Sequence, residues 1–435
     1  MEAGIGEVGT SSRKTKNLSG PRSVSPIGSL DADILRAMFS LLNHFDLIRC
    51  SAVCKSWHII INNSTLMKDL YEKNSSKFRG TLNVVNHSNV SLKWCLKDLA
   101  MAEHRLALTN GYTEVHQWHG HYLRVSQCRM KRGLILTGVG DKVLRLWSSG
   151  SNECLGEYSF PDSKPIIDFD FDESKVVGLL ESRICMWRRT DKRSIFPFRE
   201  ISSPRGICMR YSDPDAVIGC DDGTARVFDM YTGSCSRIIR THAGSPTCLA
   251  FTDCQMILCG SSLGRVTAID LSTGEHVASL KSTISHTGIR SLCFNQHSYQ
   301  IFAGSTAGYT HCWDLRTLRP LWETRISPNV LYGVQHLQSD TSTLAVGGID
   351  GVLRIVDQNN GAVLSRYVME RGKSEATSHN PKALKVMKAR SLSSDVCIDR
   401  IPKQARPAIT GLAVGMKKIV TTHNEKYIRM WKFND

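Results

Sequence analysis

The sequence lacks the features that would take a chain into or through a membrane. No apolar run approaches the roughly 20 residues that span a bilayer. The first residues, Met1-Glu2-Ala3-Gly4, show no basic segment followed by an apolar one, as a secretory signal would. We therefore expect a protein of the cytoplasm, the nucleus or both, without a membrane partner.

Metal-binding cysteine patterns are also missing. None of the 15 cysteines forms a Cys-x-x-Cys pair, and the closest two are Cys50 and Cys54. Structural zinc sites bring two ligands together at short spacing, so the sequence predicts no zinc. An odd, scattered set excludes the disulfide framework of a small secreted domain. His116, His119 and His121 lie close together but lack a complete ligand set, so we expect no metal and no cofactor.

The composition is that of a globular protein with an excess of positive charge. Hydrophobic residues make up 41% and charged residues 22% of the 435 residues, which excludes a wholly disordered chain. This length predicts two or more domains rather than one core. The formal net charge of +15 favours an acidic or polyanionic partner.

One pattern repeats along most of the chain. A tryptophan or an equivalent residue ends a short apolar run at seven positions: Trp147, Trp187, Phe228, Ile269, Trp313, Val356 and Trp431. The successive gaps are 40, 41, 41, 44, 43 and 75 residues. A small-residue turn such as Gly219-Cys220-Asp221-Asp222-Gly223 precedes most of them, which indicates two strands joined by a hairpin. A period of about 40–45 residues is typical of propeller blades with four strands each.

Two dipeptides connect this period with a known family. Trp313-Asp314 is the fullest copy of the dipeptide that names the WD-repeat family, and Gly120-His121 matches the pair that opens many of its repeats. The chain resembles this family, which implies a β-propeller, and the count gives seven blades. The chain ends four residues after Trp431, so the last blade lacks a fourth strand. We predict that the strand at 111–118 supplies it and removes an exposed sheet edge.

Two further features of the repeats lead to predictions. An arginine recurs two residues before the key position in four repeats, which favours a structural role: Arg145, Arg226, Arg354 and Arg429. The gap of 75 residues equals one blade plus an insertion at about 369–407. Because this insertion is polar and basic, we predict a mobile loop. In the family's layout such a loop emerges on the ligand-binding face of the propeller. We predict that the propeller covers residues 110–435.

The N-terminal part has a different character. Residues 1–27 are rich in glycine, serine and basic residues and predict a disordered basic tail. Residues 28–72 predict a small all-α module whose three helices begin near Asp31, Asp46 and Ser64. The linker 73–109 contains a helix near 91–105. A bundle of this size cannot bury so many apolar groups alone, so its surplus surface should contact a partner.

The helical module resembles an F-box over roughly forty residues, most specifically at Val53-Cys54-Lys55-Ser56-Trp57. The resemblance implies docking on a Skp-type adaptor and, through it, on a cullin–RING ubiquitin ligase. It makes eight residues candidates for the F-box core and adaptor surface: Leu30, Ile34, Leu35, Phe39, Leu42, Leu47, Val53 and Trp57. The family usually has proline after the first leucine, at its adaptor contact. Asp31 stands there in this chain and suits a helix N-cap.

Basic residues near the predicted starts of the first strands are candidates for target binding. They are Arg124, Lys164, Arg205, Arg290, Lys403 and Arg406. Clustered at a channel mouth, they would bind an acidic or phosphorylated peptide. Dispersed, they would form a solvated basic surface, which is the interpretation that we favour. Nucleic acid is an unlikely partner, because the chain has no recognised binding motif for it.

Taken with the resemblances, these patterns predict a multidomain protein, in which a small all-α F-box precedes an all-β seven-bladed β-propeller. The order resembles that of the substrate receptors of SCF-type ubiquitin ligases, which implies a non-catalytic subunit that binds a target protein for ubiquitination. Two alternatives stay open. The chain could act as a non-degradative scaffold, or, as the weaker reading, its basic propeller could bind RNA.

Overall fold

The computed structural model describes residues 30–42, 44–75, 92–138, 140, 142–160, 165–181, 183–192, 194–200, 204–252, 255–283, 287–370, 384–393 and 396–434. The predicted tail at 1–27 and Lys164 lie outside these residues. The chain divides into two compact units between Ala100 and Met101. Among the described residues, no helix combines the length and the apolar character needed to cross a membrane.

Five α-helices come first along the described chain. They are α1 (Ala32–Ser40), α2 (His44–Ser51), α3 (Lys55–Asn62), α4 (Leu66–Ser75) and α5 (Leu92–Asn110). Asp31 has an extended backbone, and its carboxylate accepts a hydrogen bond of 2.7 Å from the Ala32 amide, so the predicted N-cap is confirmed. Asp46 lies inside the first turn of α2 rather than before it.

The first unit contains one helix more than the sequence predicts. The prediction passed over α3, which contains the run Ile59-Ile60-Ile61, and β-branched residues lower helix propensity. This helix completes the core, since Trp57 packs edge-on against Phe39 with ring centroids 5.1 Å apart. The buried core residues of the unit are Leu35, Phe39, Leu47, Ile61, Met67 and Leu96.

All strands of the described chain belong to the second unit, beginning with β1 (Tyr112–His119). Blades 1 to 3 follow as β2 (Gln127–Lys131), β3 (Leu134–Gly138), β4 (Val143–Ser148), β5 (Cys154–Ser159); β6 (Ile166–Phe171), β7 (Lys175–Leu180), β8 (Arg183–Arg188), β9 (Ser194–Glu200); and β10 (Gly206–Ser212), β11 (Asp215–Cys220), β12 (Thr224–Asp229), β13 (Ser234–Arg240). Blades 4 to 6 are β14 (Pro246–Phe251), β15 (Met256–Ser261), β16 (Arg265–Asp270), β17 (His276–Lys281); β18 (Ile289–Asn295), β19 (Gln300–Ser305), β20 (Tyr309–Asp314), β21 (Arg319–Arg325); and β22 (Leu331–Gln335), β23 (Thr343–Gly348), β24 (Leu353–Asp357), β25 (Val363–Met369).

The remaining strands are β26 (Lys385–Ser391), β27 (Gly411–Gly415), β28 (Lys418–Thr422) and β29 (Tyr427–Asn434). Blades 1 to 5 are separate four-stranded antiparallel sheets in sequence order. The first strands of neighbouring blades contact one another around the ring from β6 to β27 and on to β2. Buried apolar side chains fill the spaces between blades, as they do between packed sheets. The predicted seven-bladed propeller is confirmed.

The first and last strands of the propeller close the ring. Strand β1 pairs antiparallel with β29 over eight residues, from Tyr112 opposite Asn434 to His119 opposite Tyr427. Blade 7 therefore consists of β27, β28, β29 and β1. This pairing confirms the prediction that the strand at 111–118 completes the last blade. It also gives β29 a partner on the edge that would otherwise be open.

The insertion at 369–407 corrects a prediction. The sequence predicts a mobile loop there, but β26 pairs with β25 through Met369 opposite Ala389 and with β1 through Val115 opposite Met387. Blades 6 and 7 thereby join into one nine-stranded sheet. High charge made this segment look like a loop, yet Met387 and Ala389 pack against the core between these blades. Residues 371–383 of the insertion lie outside the described residues.

The second half of α5 belongs to the propeller unit. The Nε atom of Arg105 lies 3.0 Å from the carboxylate of Asp340, and the hydroxyl of Tyr367 donates to the carbonyl of Leu108 over 2.8 Å. The ring of His104 accepts a hydrogen bond from the Lys417 amide, and burial lowers the pKa of His104 to about 4. This histidine is therefore neutral at pH 7.

Candidate functional site

Helix α1 presents a different apolar set on each of its two sides. Leu35 and Phe39 point into the core and are buried. Ile34, Met38 and Leu41 follow one another at helical spacing and are 51%, 48% and 86% exposed. We call these three residues the α1 stripe. Exposed apolar groups in such a row are typical of a surface that another protein covers.

The structure divides the eight predicted adaptor residues by burial. Leu35, Phe39 and Leu47 are buried, and Leu30, Leu42 and Trp57 are half-buried and pack against the same core, whereas Ile34 and Val53 are exposed. Burial thus separates six residues of the module's core from two of its surface. The eight did not include Met38, Leu41 and Ile59, which are exposed and apolar. Helical spacing from Ile34 would have found Leu41.

A shallow groove of about 460 Å³ lies on the same unit, at the junction of α2 and α3. It is lined by Ser51, Ala52, Cys54, Lys55, His58 and Ile59. Its shape depends on the start of α3, where the Cys54 sulfur accepts a hydrogen bond from the Trp57 amide. The ring of His58 lies 3.2 Å from the Ser51 carbonyl and joins the two walls.

One end of the propeller carries the loops that lead into the first strands. Since strands alternate in direction, these loops lie at the same end as the turns between second and third strands. Contacts bear this out, as the Ser245 hydroxyl donates to the Asp221 carbonyl and the Ile349 amide donates to the Val330 carbonyl. We call this end the upper face. Tyr122, Leu123, Leu263 and Ile349 are exposed large apolar residues of this face.

Of the predicted basic residues, Arg124, Arg205 and Arg290 lie at the starts of different blades, and Lys403 and Arg406 lie in the insertion. Arg124, Arg205, Arg290 and Lys403 are exposed. The Nε atom of Arg205 lies 3.8 Å from the carboxylate of Glu181, which partly neutralises it. Among the described residues, no carboxylate forms an ion pair with two of these basic side chains. Each of them stands at the start of its own blade or in the insertion.

Arg406 differs from the other basic candidates because the fold already uses its guanidinium group. Its side chain is 12% exposed, and it donates to the carbonyls of Ile401 and Asp350 over 2.9 and 3.2 Å. Its Nη2 atom lies 3.8 Å from the carboxylate of Asp399. Arg406 therefore holds the end of the insertion on blade 6, which leaves little of it for a ligand.

The recurring arginines have the structural role that the sequence predicts. Each contacts a carboxylate of its own blade: Arg145 with Glu157, Arg226 with Asp222, Arg354 with Asp350 and Arg429 with Glu425. In blade 1 the guanidinium group also lies 3.0 Å from the His121 ring. They are not a binding stripe.

Blade 7 builds its histidine contact in a way that the sequence did not reveal. The Trp431 indole donates to the Thr421 hydroxyl over 2.9 Å, and the His423 ring lies 2.8 Å from the same hydroxyl. In blade 1 the corresponding histidine, His121, precedes the first strand, whereas His423 follows the second strand. Burial, followed by the nearby Arg429 charge, lowers the pKa of His423 well below its ordinary value.

No group of three or more histidine, cysteine, aspartate or glutamate side chains among the described residues is placed to hold a metal ion. The described cysteines of the blades are buried apart from Cys154 and Cys235, and burial raises the thiol pKa of Cys293 and of Cys312. A thiol with a raised pKa is a poor nucleophile, so these side chains act as packing groups.

Comparison with known proteins agrees with the division of the chain into a helical module and a propeller. The F-box-like family model matches residues 32–73, and the WD domain, G-beta repeat model matches residues 275–314. An F-box/WD-40 repeat-containing protein of Arabidopsis thaliana is 48% identical over 94% of this chain and 95% of its own length. Eukaryotic translation initiation factor 3 subunit I of Coccidioides immitis is 25% identical over 53% of this chain and 66% of its own length.

A helical module with an exposed apolar stripe and a closed propeller define a two-module protein of the F-box and WD-repeat class. The chain belongs to the family of F-box/WD-40 repeat-containing proteins. Together the two modules support a substrate-adaptor role in general, since proteins of this kind are generally non-catalytic adaptors.

Proposed function

We propose that this chain is the substrate-recognition subunit of an SCF-type ubiquitin ligase. The helical module docks on a Skp-type adaptor, and the propeller holds a target protein for ubiquitination. The observation that carries the proposal is the α1 stripe, which exposes three large apolar side chains on an F-box-like module. Full burial of such a side chain contributes about 1.5–3 kcal/mol, so three of them suffice for the centre of an interface.

The chain supplies no covalent chemistry in this proposal. It raises the effective concentration of target lysines near a ubiquitin-loaded enzyme that the assembly holds elsewhere. The upper face of the propeller contacts the target, because exposed apolar residues and cations lie there side by side. We propose that the assembly works in the cytoplasm, the nucleus or both.

Adaptor binding can be tested with a double variant, Ile34→Asp with Met38→Asp. Both side chains are exposed, so the charges disrupt an interface without entering the core. Leu35 is unsuitable for this purpose, because it is buried and a charge there would unfold the module. Pull-down of a Skp-type adaptor and a cullin should succeed with the intact chain and fail with the double variant, while circular dichroism stays unchanged.

The matched control is Val277→Asp in β17. Val277 is 48% exposed, like Met38, but lies on the propeller. It should capture the adaptor like the intact chain. Failure of the intact, folded chain to bind would overturn the proposal, and the aspartate at position 31 would then mark an F-box that has lost its adaptor.

A scaffold that binds an adaptor without turnover of its target remains the alternative, and target levels separate the two. Under the proposal, depletion of this chain makes the bound target accumulate, and inhibition of the proteasome removes the difference. A scaffold leaves target levels unchanged under both treatments. Quantitative proteomics of captured proteins, before and after depletion, measures this.

A further inference from the structure

The inserted strand β26 has one face toward the core and one face toward solvent. Met387 and Ala389 pack against the core between blades 6 and 7. Because side chains alternate along a strand, the residues between and beside these two point the other way. They are exposed, as is the residue just before the strand. We call the exposed set the β26 face: Leu384, Val386, Lys388 and Arg390.

The β26 face has an apolar half and a basic half. Leu384 and Val386 are 45% and 55% exposed. Lys388 and Arg390 follow on the same face, with about 6.7 Å between their Cα atoms. Blades 6 and 7 each have four strands without β26, so the insertion adds this face to a ring that β1 and β29 already close. Exposed apolar groups next to polar ones are typical of an interaction surface.

The two cations of the β26 face are not neutralised by the fold. Neither Lys388 nor Arg390 forms an ion pair with a residue in the described part of the chain. Glu114 stands opposite Lys388 in the neighbouring strand, but it also stands opposite Lys432 on its other side. Glu370, whose amide donates to the Lys388 carbonyl, pairs with neither cation. One carboxylate therefore faces two lysines across the sheet, and the charge of this row is positive.

The two halves together select the kind of partner. A second copy of this chain would bring the same cations, and like charges disfavour that contact. A nucleic acid would contact Lys388 and Arg390 but leave the apolar half uncovered. Membrane binding grows with the apolar area that enters the lipid, and two half-exposed side chains offer little of it. A protein segment with carboxylates and apolar groups complements both halves.

We propose that the β26 face binds a partner protein through a segment with an acidic half and an apolar half. Lys388 and Arg390 bind carboxylates of the segment, and Leu384 and Val386 contact its apolar side chains. The face lies at the outer edges of blades 6 and 7, on a strand that the proposed function does not use. The proposal therefore goes beyond the proposed function and gives the basic insertion a role in binding.

Two peptides of identical composition test the proposal. The block peptide has four glutamates at one end and four leucines at the other, joined by four serines, and the scrambled peptide distributes the same residues evenly. Each is labelled and titrated with the purified full chain at 150 mM salt, with fluorescence anisotropy as the measurement. We expect the block peptide to bind at least about fivefold more tightly, because only this peptide matches both halves. Dispersed positive charge would bind the two alike.

Variants assign the binding to the β26 face. Lys388→Glu with Arg390→Glu should weaken binding of the block peptide at least about tenfold, and Val386→Ser should reduce its advantage over the scrambled peptide. All three side chains are exposed, so the melting temperature should stay that of the intact chain. The matched control is Arg319→Glu with Arg325→Glu, which changes the net charge equally at exposed positions of the outer strand β21. It should bind like the intact chain.

Three results would overturn the proposal: equal affinity of the two peptides, binding of the block peptide that survives the charge reversal in β26, or no peptide binding at all. A 20-nucleotide single-stranded RNA and vesicles that contain phosphatidylserine are the probes for the other two polyanions. If either binds the intact chain more tightly than the block peptide does and loses this binding with Lys388→Glu and Arg390→Glu, the face serves that class of partner and the proposal is wrong.

Discussion

A carboxylate can join neighbouring blades when its two oxygens face different ones, and Asp168 in β6 has this position. One oxygen lies 3.0 Å from the Arg129 guanidinium group of blade 1. The other accepts a 2.9 Å hydrogen bond from the Met209 amide of blade 3. Asp168→Ala leaves a nearly buried arginine without this partner, so we expect a loss of about 3–5 kcal/mol in the free energy of unfolding. Urea unfolding followed by tryptophan fluorescence measures it.

The control for Asp168 is Glu173→Ala, in the same blade. Glu173 pairs with Arg132, but both side chains are mostly exposed, so the loss should stay below about 1 kcal/mol. Equal shifts of the two unfolding midpoints would contradict the role of Asp168. The sequence could not have predicted this role, because the local run Asp168-Phe169-Asp170 does not indicate its partners. Arg129 and Met209 lie 39 and 41 residues from Asp168, in the two neighbouring blades.

Asp340 gives the propeller a defined response to acid. Burial alone would raise the pKa of Asp340, but hydrogen bonds from Thr343 and Ser342 and the charge of Arg105 together lower it below its ordinary value. A lowered pKa in the folded state means that the unfolded chain binds more protons. The stabilisation is complete above the ordinary value of about 3.9 and is lost as the pH falls through the folded-state pKa.

We therefore expect Asp340→Asn to be less stable than the intact chain at pH 7, by at least about 1.5 kcal/mol. The difference should shrink as the pH falls below about 4, because the intact chain then loses its own advantage. Urea midpoints at pH 7, 5, 4 and 3 measure it. A difference that stays constant down to pH 3 would show that the charge of Asp340 contributes nothing.

At the scale of elements, β26 joins the outer edges of blades 6 and 7, and a proline tests this role. Met387 lies opposite Val115 in a strand that is paired on both sides. Proline lacks the amide hydrogen and is not tolerated within such a strand. We expect Met387→Pro to detach β26, so that amide hydrogen exchange accelerates in β26, β1 and β25 and the melting temperature falls.

The control is Val277→Pro, in the outermost strand β17. Val277 lies in a β-bulge and has no partner in the register with β16, so its amide is not part of the ladder. Exchange should change only near the substitution. If Met387→Pro left exchange in β1 and β25 unchanged, β26 would not stabilise the two blades that it connects.

Sequence patterns reached different depths for different elements. The closing strand β1 was predictable from a count of strands. The last repeat ends after its third strand, and the strand at 111–118 stands before the first blade without belonging to it. The strand β26 was not, because its three basic residues conceal the packing of Met387 and Ala389. The β-bulges in the first strands of blades 2 to 6 were not predictable either. A bulge adds one residue to an alternation, and this change shows only when both paired strands are known.

For the whole molecule, the net charge of +15 invites the question of whether the propeller binds nucleic acid. Some of the described basic residues are used inside the fold, since Arg129, Arg145, Arg354 and Arg429 all contact carboxylates. Binding by a dispersed charge has no fixed site and weakens steeply with salt, by a slope of about 0.7 per phosphate contact for a single strand.

This salt dependence can be measured directly. A 20-nucleotide single-stranded RNA is titrated with the intact chain between 50 and 300 mM salt. We expect RNA binding to disappear with rising salt. RNA binding that survives 300 mM salt would instead favour a nucleic-acid-binding propeller, since only a built site resists screening of its charges.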